Sequence, residues 1–209
     1  MACKLLLAAA ETVSVVASML RVMVVDEDAE RRDILKRGLE KVGHQVVAEV
    51  QSTVRLPLLV AQLRPDVIII DTNSPDRDTL EHVCVITQHA PRPIVMFAAD
   101  SDARTIREAV RAGVSAYVVD GLSAERVQPI IDAAVARFEQ LQSLRSELAN
   151  AQMQLTDRKR IERAKGILMK QKGLSEDEAH RWLRKAAMDE NLKLAEVADH
   201  VIRAARLLL

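Results

Sequence analysis

The sequence predicts an α/β protein: a doubly wound, five-stranded parallel sheet, followed by a coiled-coil helix and a small three-helix all-α domain. Three observations carry this expectation. Between Leu20 and Phe138, five short β-branched runs alternate with amphipathic stretches, the pattern of repeated β-α units. All six prolines lie at or before Pro129, and the periodicity beyond it is helical throughout. Charge also divides the chain. Residues 1–156 hold 17 basic and 21 acidic side chains, a net of −4, whereas residues 157–209 hold 13 and 9, a net of +4. An acidic front part and a basic tail suit a tail that meets a polyanion.

In chain order, Lys4 and the apolar run Leu5–Ala10 look like a short signal sequence, but Glu11 interrupts them. The run is too short to span a bilayer, so no membrane association is expected. Residues 1–18 read as a disordered or helical extension, or as a start assigned too early, with Met19 opening the folded part. The strand runs are Leu20–Val25, Gln45–Val50, Val67–Ile70, Ile94–Phe97 and Ala116–Val119, each expected to be buried on both faces of a parallel sheet. Ile34, Leu35, Gly38, Leu39 and Val42 form a helical stripe closed by Gly43, and Ile106, Ala109 and Val110 begin another closed by Gly113. Pro129 is expected in the first turn of the next helix. From Val127, a three-four seam runs through Ile131, Ala134, Phe138, Leu141, Leu144, Leu148, Ala151 and Leu155. It predicts a dimerising coil, because the stretch 140–154 is otherwise too polar to pack within the chain.

The tail then reads as three helices. The first spans about Asp157–Lys172 and ends at Gly173. The second opens on the capping box Ser175-Glu176-Asp177-Glu178 and stops near Asn191. The third starts near Leu194, with Val197, Ala198, Val201 and Ile202 inward. The expected boundaries are 1–18 for the extension, 19–138 for the α/β domain, 139–156 for the coil and 157–209 for the tail domain.

Composition excludes several chemistries. Two cysteines, Cys3 and Cys84, make no disulfide framework and fit a reducing, cytoplasmic setting. The five histidines have no ligand-type partners, so no zinc site is expected. Six glycines form no phosphate-cradling motif, and at 2% aromatic residues a base-stacking platform has no material. No nucleophile-base pair suggests an enzyme.

Ligand sites of parallel α/β sheets lie at the carboxyl ends of the strands. Here those ends carry Asp26-Glu27-Asp28 and Asp71. Converging carboxylates there would accept Mg²⁺, although each acid alone is also a good helix cap. The pair Asp26-Glu27, the run Pro65–Asp71 with Pro75 after it, and Ala112-Gly113-Val114-Ser115-Ala116-Tyr117 resemble the receiver domain of two-component response regulators over residues 20–138. The resemblance implies a flavodoxin-like fold, a phosphoacceptor at Asp71, and Mg²⁺ at Asp26, Glu27 and Asp71 as the one cofactor the pocket would take, with none required. Two positions depart from the family. Receivers carry Ser or Thr at the end of the fourth strand, where this chain has Ala98. They carry Lys at the end of the fifth strand, where Tyr117-Val118-Val119 is followed by Asp120. Loss of a hydroxyl and a cation, with a carboxylate added, works against a phosphoryl dianion. A pseudo-receiver with an idle phosphoryl switch is expected.

In the tail, Arg158, Lys159, Arg160, Arg163, Lys165, Lys170 and Lys172 crowd one helix, with Arg184 and Lys193 extending the patch. Lys159, Arg163, Gly166 and Lys170 share a face, with Ile161, Ala164 and Leu168 opposite. Gly166 costs about 1 kcal/mol inside a helix, which suggests close approach by a helix or a phosphate backbone. A solvated basic face is the plainer reading. Trp182, beside Leu183, is expected to be partly core.

The stretch Arg160–Met169, with Ser175-x-x-Glu178-Ala179, Leu183-Arg184-x-x-Ala187 and Asn191–Ala198, resembles the ANTAR domain. The resemblance implies binding of paired hairpins in leader mRNA and suppression of a terminator. RNA contacts would come from Arg158, Arg160, Arg163, Lys165, Gly166, Lys170, Arg184 and Lys193. A homodimer would form through Leu141, Leu144, Leu148 and Leu155. The receiver departures most resemble NasT-type nitrate/nitrite antiterminators, which implies a nitrate-sensing inhibitory partner protein. The competing expectations are a phosphorylation-controlled DNA-binding response regulator and a phosphotransfer intermediate acting through Asp71.

Overall fold

The computed structural model of the protein describes residues 19–119 and 124–207. The expected extension 1–18 and the position Asp120 lie outside the described residues. Two compact units divide between Leu141 and Gln142.

The first unit is built on a five-stranded, all-parallel sheet with strand order β2-β1-β3-β4-β5. The strands are β1 Arg21–Val25, β2 Gln45–Val50, β3 Val67–Thr72, β4 Ile94–Ala98 and β5 Ala116–Val119. Strand alternation builds two cores. Met23, Val25, Ile68, Ile70, Ile94 and Met96 face α2 (Leu56–Leu63), α3 (Arg77–His89) and α4 (Ala103–Ala112). Val22, Val24, Val67, Ile69, Val95 and Phe97 face α1 (Ala29–Lys41) and the first turns of α5 (Ala124–Lys172). A one-residue slip of a central strand would exchange these sets, and nearly all are fully buried, so register is strongly specified.

Four local expectations need correction. β2 and β5 are edge strands and only half-buried, because one side of each has no neighbour among the described strands. The α1 stripe is Leu35 and Leu39 alone: Ile34 and Val42 are exposed, and Arg32 is buried in their place, donating to the Asp26 carbonyl. Val110 is likewise exposed beside the buried Ala109 of α4. Gly43 and Gly113 end their helices as expected, at φ of 90° and 111°. Pro129 lies inside α5, in its second turn rather than its first.

The second unit packs the end of α5 against α6 (Glu176–Glu190) and α7 (Leu194–Leu207). Ala164 and Leu168 meet Ala179, Leu183 and Ala187 of α6 and Val197, Ala198 and Ile202 of α7. The expected capping box at Ser175 and Glu178 is formed, and Asn191 stops α6 at φ 52°. The coil and the first tail helix are one element, because nothing in residues 139–157 breaks the helix.

Candidate acidic pocket and basic helical surface

Asp26 follows β1, and Asp71 lies in the neighbouring β3, one residue beyond the paired Val25 and Ile70. The parallel register therefore sets the two carboxylates side by side. Asp26 is almost fully buried. Its Oδ1 accepts from the Asp28 backbone N–H at 2.8 Å and from Arg31 Nη2 at 2.9 Å, and its Oδ2 accepts from Arg31 Nε at 3.1 Å. Arg31 Nε also lies 3.8 Å from Asp71 Oδ2. Burial first, and then the negative Asp26, push the Asp71 carboxyl up to about 6, with Arg31 opposing. Hydrogen bonding to Asp26 raises Arg31 above its already high value.

The other predicted acids do not join the pair. Asp28 caps α1, accepting from Glu30 N–H at 2.8 Å and Arg31 N–H at 3.1 Å, and these bonds hold its carboxyl below the usual range. Glu27 is exposed. Among the described residues no three His, Cys, Asp or Glu side chains are gathered as metal ligands. Of the three acids named for Mg²⁺, Asp26 and Asp71 are brought together and Glu27 stands apart. Arg31 was missed in the sequence because its partner precedes the helix, so their separation of five residues is not a helix-face spacing.

Of the two departures, Asp120 lies outside the described residues, and Ala98 leads into a tied-down loop. Ala98 ends β4 and is buried. Beyond it, the Ala99 and Asp100 N–H groups donate to the Asn73 carbonyl at 3.1 and 3.0 Å. Ser74 Oγ donates to Asp100 Oδ2 at 2.8 Å, and the Tyr117 hydroxyl donates to the Asp100 carbonyl at 2.9 Å. Asp102 caps α4 through the N–H groups of Arg104 and Thr105. The loops after β3 and β4 and the side chain of Tyr117 thereby form one hydrogen-bonded unit. No hydroxyl at position 98 couples it to Asp71.

In the second unit, Arg158, Lys159, Arg160, Arg163, Lys170, Arg184 and Lys193 are exposed. Arg160 is shared between Asp157 and Asp199, each at 3.5 Å. Lys159, Arg160 and Arg163 of α5 and Arg203 of α7 line a cleft of about 320 Å³ that also contains Thr156 and Asp199. Arg203 adds a cation that the sequence reading missed, since its neighbours on α5 are about forty residues away. Lys193 and Arg160 border a second cleft, and Arg184 borders a third with His180 and Met188. Of the predicted contacts, Arg160, Arg163, Arg184 and Lys193 thus border these three clefts, and Arg158, Lys165, Gly166 and Lys170 border none of them.

Lys165 requires a correction. It is 8% exposed, and its ammonium lies 2.7 Å from Glu176 and 2.9 Å from Glu162. These carboxylates raise its pKa, Glu176 first. Lys165 ties α5 to the start of α6 and is not a free cation, so reversing its charge would disturb the fold. The signal was present: Lys165 stands four residues after Ile161 and three before Leu168, on the inward stripe. At Gly166 a Cβ would meet nothing within 4 Å, so of its two expected uses the close approach of a helix is not made. None of the described helices approaches it that closely. Trp182 is 38% exposed with Lys172 Nζ 4.4 Å from its ring centroid, a cation-π contact at the surface.

A parallel α/β domain with a strand-end acidic pair, joined by a long helix to a basic helical unit, defines a signalling regulator of input-plus-effector construction. The response regulator receiver domain matches residues 22–132, and the ANTAR domain matches residues 149–202. The chain belongs to the response regulators that join a receiver domain to an ANTAR domain. It is 32% identical to the transcriptional regulatory protein PdtaR of Mycobacterium tuberculosis over 182 residues, 87% of this chain and 89% of that one. A 59-residue segment is 44% identical to a nitrate regulatory protein of Klebsiella oxytoca, covering 28% of this chain and 15% of that protein. Among solved structures, a LuxR-family response regulator from Aurantimonas matches 57% of this chain and 86% of its own at 26% identity and TM-score 0.52. The receiver domain of a Desulfovibrio desulfuricans diguanylate cyclase matches 58% of this chain and 98% of its own at 20% identity and TM-score 0.52, a likeness of fold. No described helix is long and apolar enough to cross a membrane.

Proposed function

We propose that this protein is a transcription antitermination factor that binds paired hairpins in leader mRNA through its ANTAR domain, needing no cofactor to do so. The observation that carries the reading is the ANTAR match over residues 149–202 together with the cationic cleft of Lys159, Arg163 and Arg203 inside that segment and just beyond it. Lys and Arg side chains at a cleft between two helices suit phosphate oxygens, and counterion release makes such binding fall steeply with salt. Loop shape and unpaired bases then give the specificity.

The exposed Leu141, Leu144, Leu148 and Leu155 supply a seam for a second copy, so that two tails engage two hairpins. The 44% identity to a nitrate regulatory protein over a 59-residue segment supports nitrate/nitrite assimilation genes as the target, and the resemblance to NasT-type antiterminators suggests a nitrate-sensing partner as the source of the signal. Ala98 and the pinned Asp100 loop support a receiver that does not read phosphorylation. The test is fluorescence anisotropy of a two-hairpin leader RNA, a scrambled RNA of equal length and a promoter duplex. Tight binding to the hairpins alone is expected. Preference for the duplex would favour a DNA-binding regulator, and equal affinity for both RNAs would refute the reading.

A further inference from the structure

We infer that Arg31 is the resident cation of the receiver pocket: its guanidinium takes the place a divalent metal ion would need, and closes the pocket to Mg²⁺. This goes beyond the RNA-binding reading and stands or falls separately from it.

The geometry is specific. Mg²⁺ demands near-octahedral oxygen coordination at about 2.0–2.1 Å and gives up its waters reluctantly. The two oxygens that could serve it best belong to Asp26, and both already accept hydrogen bonds from Arg31, one of them also from the Asp28 N–H. The two-pronged Nε/Nη2 contact is the fork that guanidinium makes with a carboxylate, and it fixes the orientation of both groups. Nε faces Asp71 as well, at 3.8 Å, so the cation bridges the two acids that a metal would bridge. A metal ion approaching either carboxylate would meet a fixed positive charge at close range and would have to displace it.

Arg31 is also well anchored. It is the third residue of α1, and its own N–H donates to the Asp28 carboxylate that caps the helix. The next residue, Arg32, is buried and donates to the Asp26 carbonyl. Two successive arginines therefore hold the main chain and side chain of Asp26. Among the described residues a third acid is not at hand to outbid them, since Glu27 is exposed and Asp28 is committed to the cap. Arg31 offsets one of the two carboxylate charges from within the chain, and Asp26 becomes a structural joint between β1 and α1.

The test uses the full chain, with thermal unfolding followed by circular dichroism in MgCl₂ at constant ionic strength. The wild-type midpoint is expected to move by less than about 1 °C up to about 10 mM MgCl₂. Arg31→Met, which frees both carboxylates, is expected to start lower and to rise by about 5 °C over the same range. A wild-type rise equal to that of the variant would overturn the inference, and so would a variant that ignores Mg²⁺. A second measurement needs no folded variant at position 31: electron paramagnetic resonance of free Mn²⁺ titrated with wild-type protein. Undiminished free-ion signal supports the inference. Binding tighter than about 1 mM that Asp71→Asn removes would overturn it.

Discussion

Replacing Asp71 by asparagine should stabilise the receiver unit, and the gain should depend on pH in a defined way. The side chain is only 11% exposed and lies beside the buried Asp26. Its carboxyl rises from 3.8 to about 6 on folding. The folded protein therefore holds a proton that the unfolded chain has released, and stability falls as pH rises from about 4 through 6. Above pH 7 the penalty is complete and corresponds to about 3 kcal/mol; at pH 4 it is less than about 1 kcal/mol. An asparagine at this position carries no charge and no such penalty. Asp71→Asn should thus raise the unfolding free energy by about 3 kcal/mol at pH 8, equivalent to roughly 10 °C in midpoint for a unit of this size, and by little at pH 4. Urea denaturation of both proteins, followed by circular dichroism at the two pH values, measures the difference directly. An equal gain at both pH values, or a loss at pH 8, would refute the assignment of a desolvated, charge-crowded carboxylate.

Other consequences can be measured on the same protein. Lys165→Met should lower the midpoint of the helical tail, seen as an earlier loss of ellipticity, because Glu162 and Glu176 lose their shared partner. Gly166→Ala should stabilise the helix by about 1 kcal/mol, since a methyl fits without contact; a simultaneous fall in hairpin affinity would show that RNA approaches the backbone there. With the proposed pairing through the exposed seam, Leu148→Glu should halve the mass seen by sedimentation equilibrium, and a wild-type mass already equal to one chain would refute that pairing.

The sheet was legible because buried parallel strands are written as β-branched runs with few competing readings. The helix ends were legible for a similar reason: Gly43, Gly113, Asn191 and the Ser175 capping box act locally. The misreadings occur where a charged side chain does an apolar residue's work. Arg32 occupies the inner face of α1 because the Asp26 carbonyl offers it an acceptor, and Ile34 is left outside. Lys165 sits on the core stripe because two glutamates neutralise it, one of them on another helix. The role of Asp71 as half of an acidic pair follows from strand order and was visible. The cation that answers it was not, since Arg31 reaches back over the β1–α1 turn. Arg203 was hidden likewise, because only the packing of α7 brings it to Arg163.

The central claim, that the basic helical unit recognises folded leader RNA and so prevents termination, is tested most directly by single-round transcription in vitro through a leader whose transcript the protein binds. Read-through should increase with added protein, decline as salt is raised, and stay at its basal level with the double variant Arg163→Glu and Arg203→Glu. Termination that is unchanged by wild-type protein, or relieved equally by that variant, would contradict the account.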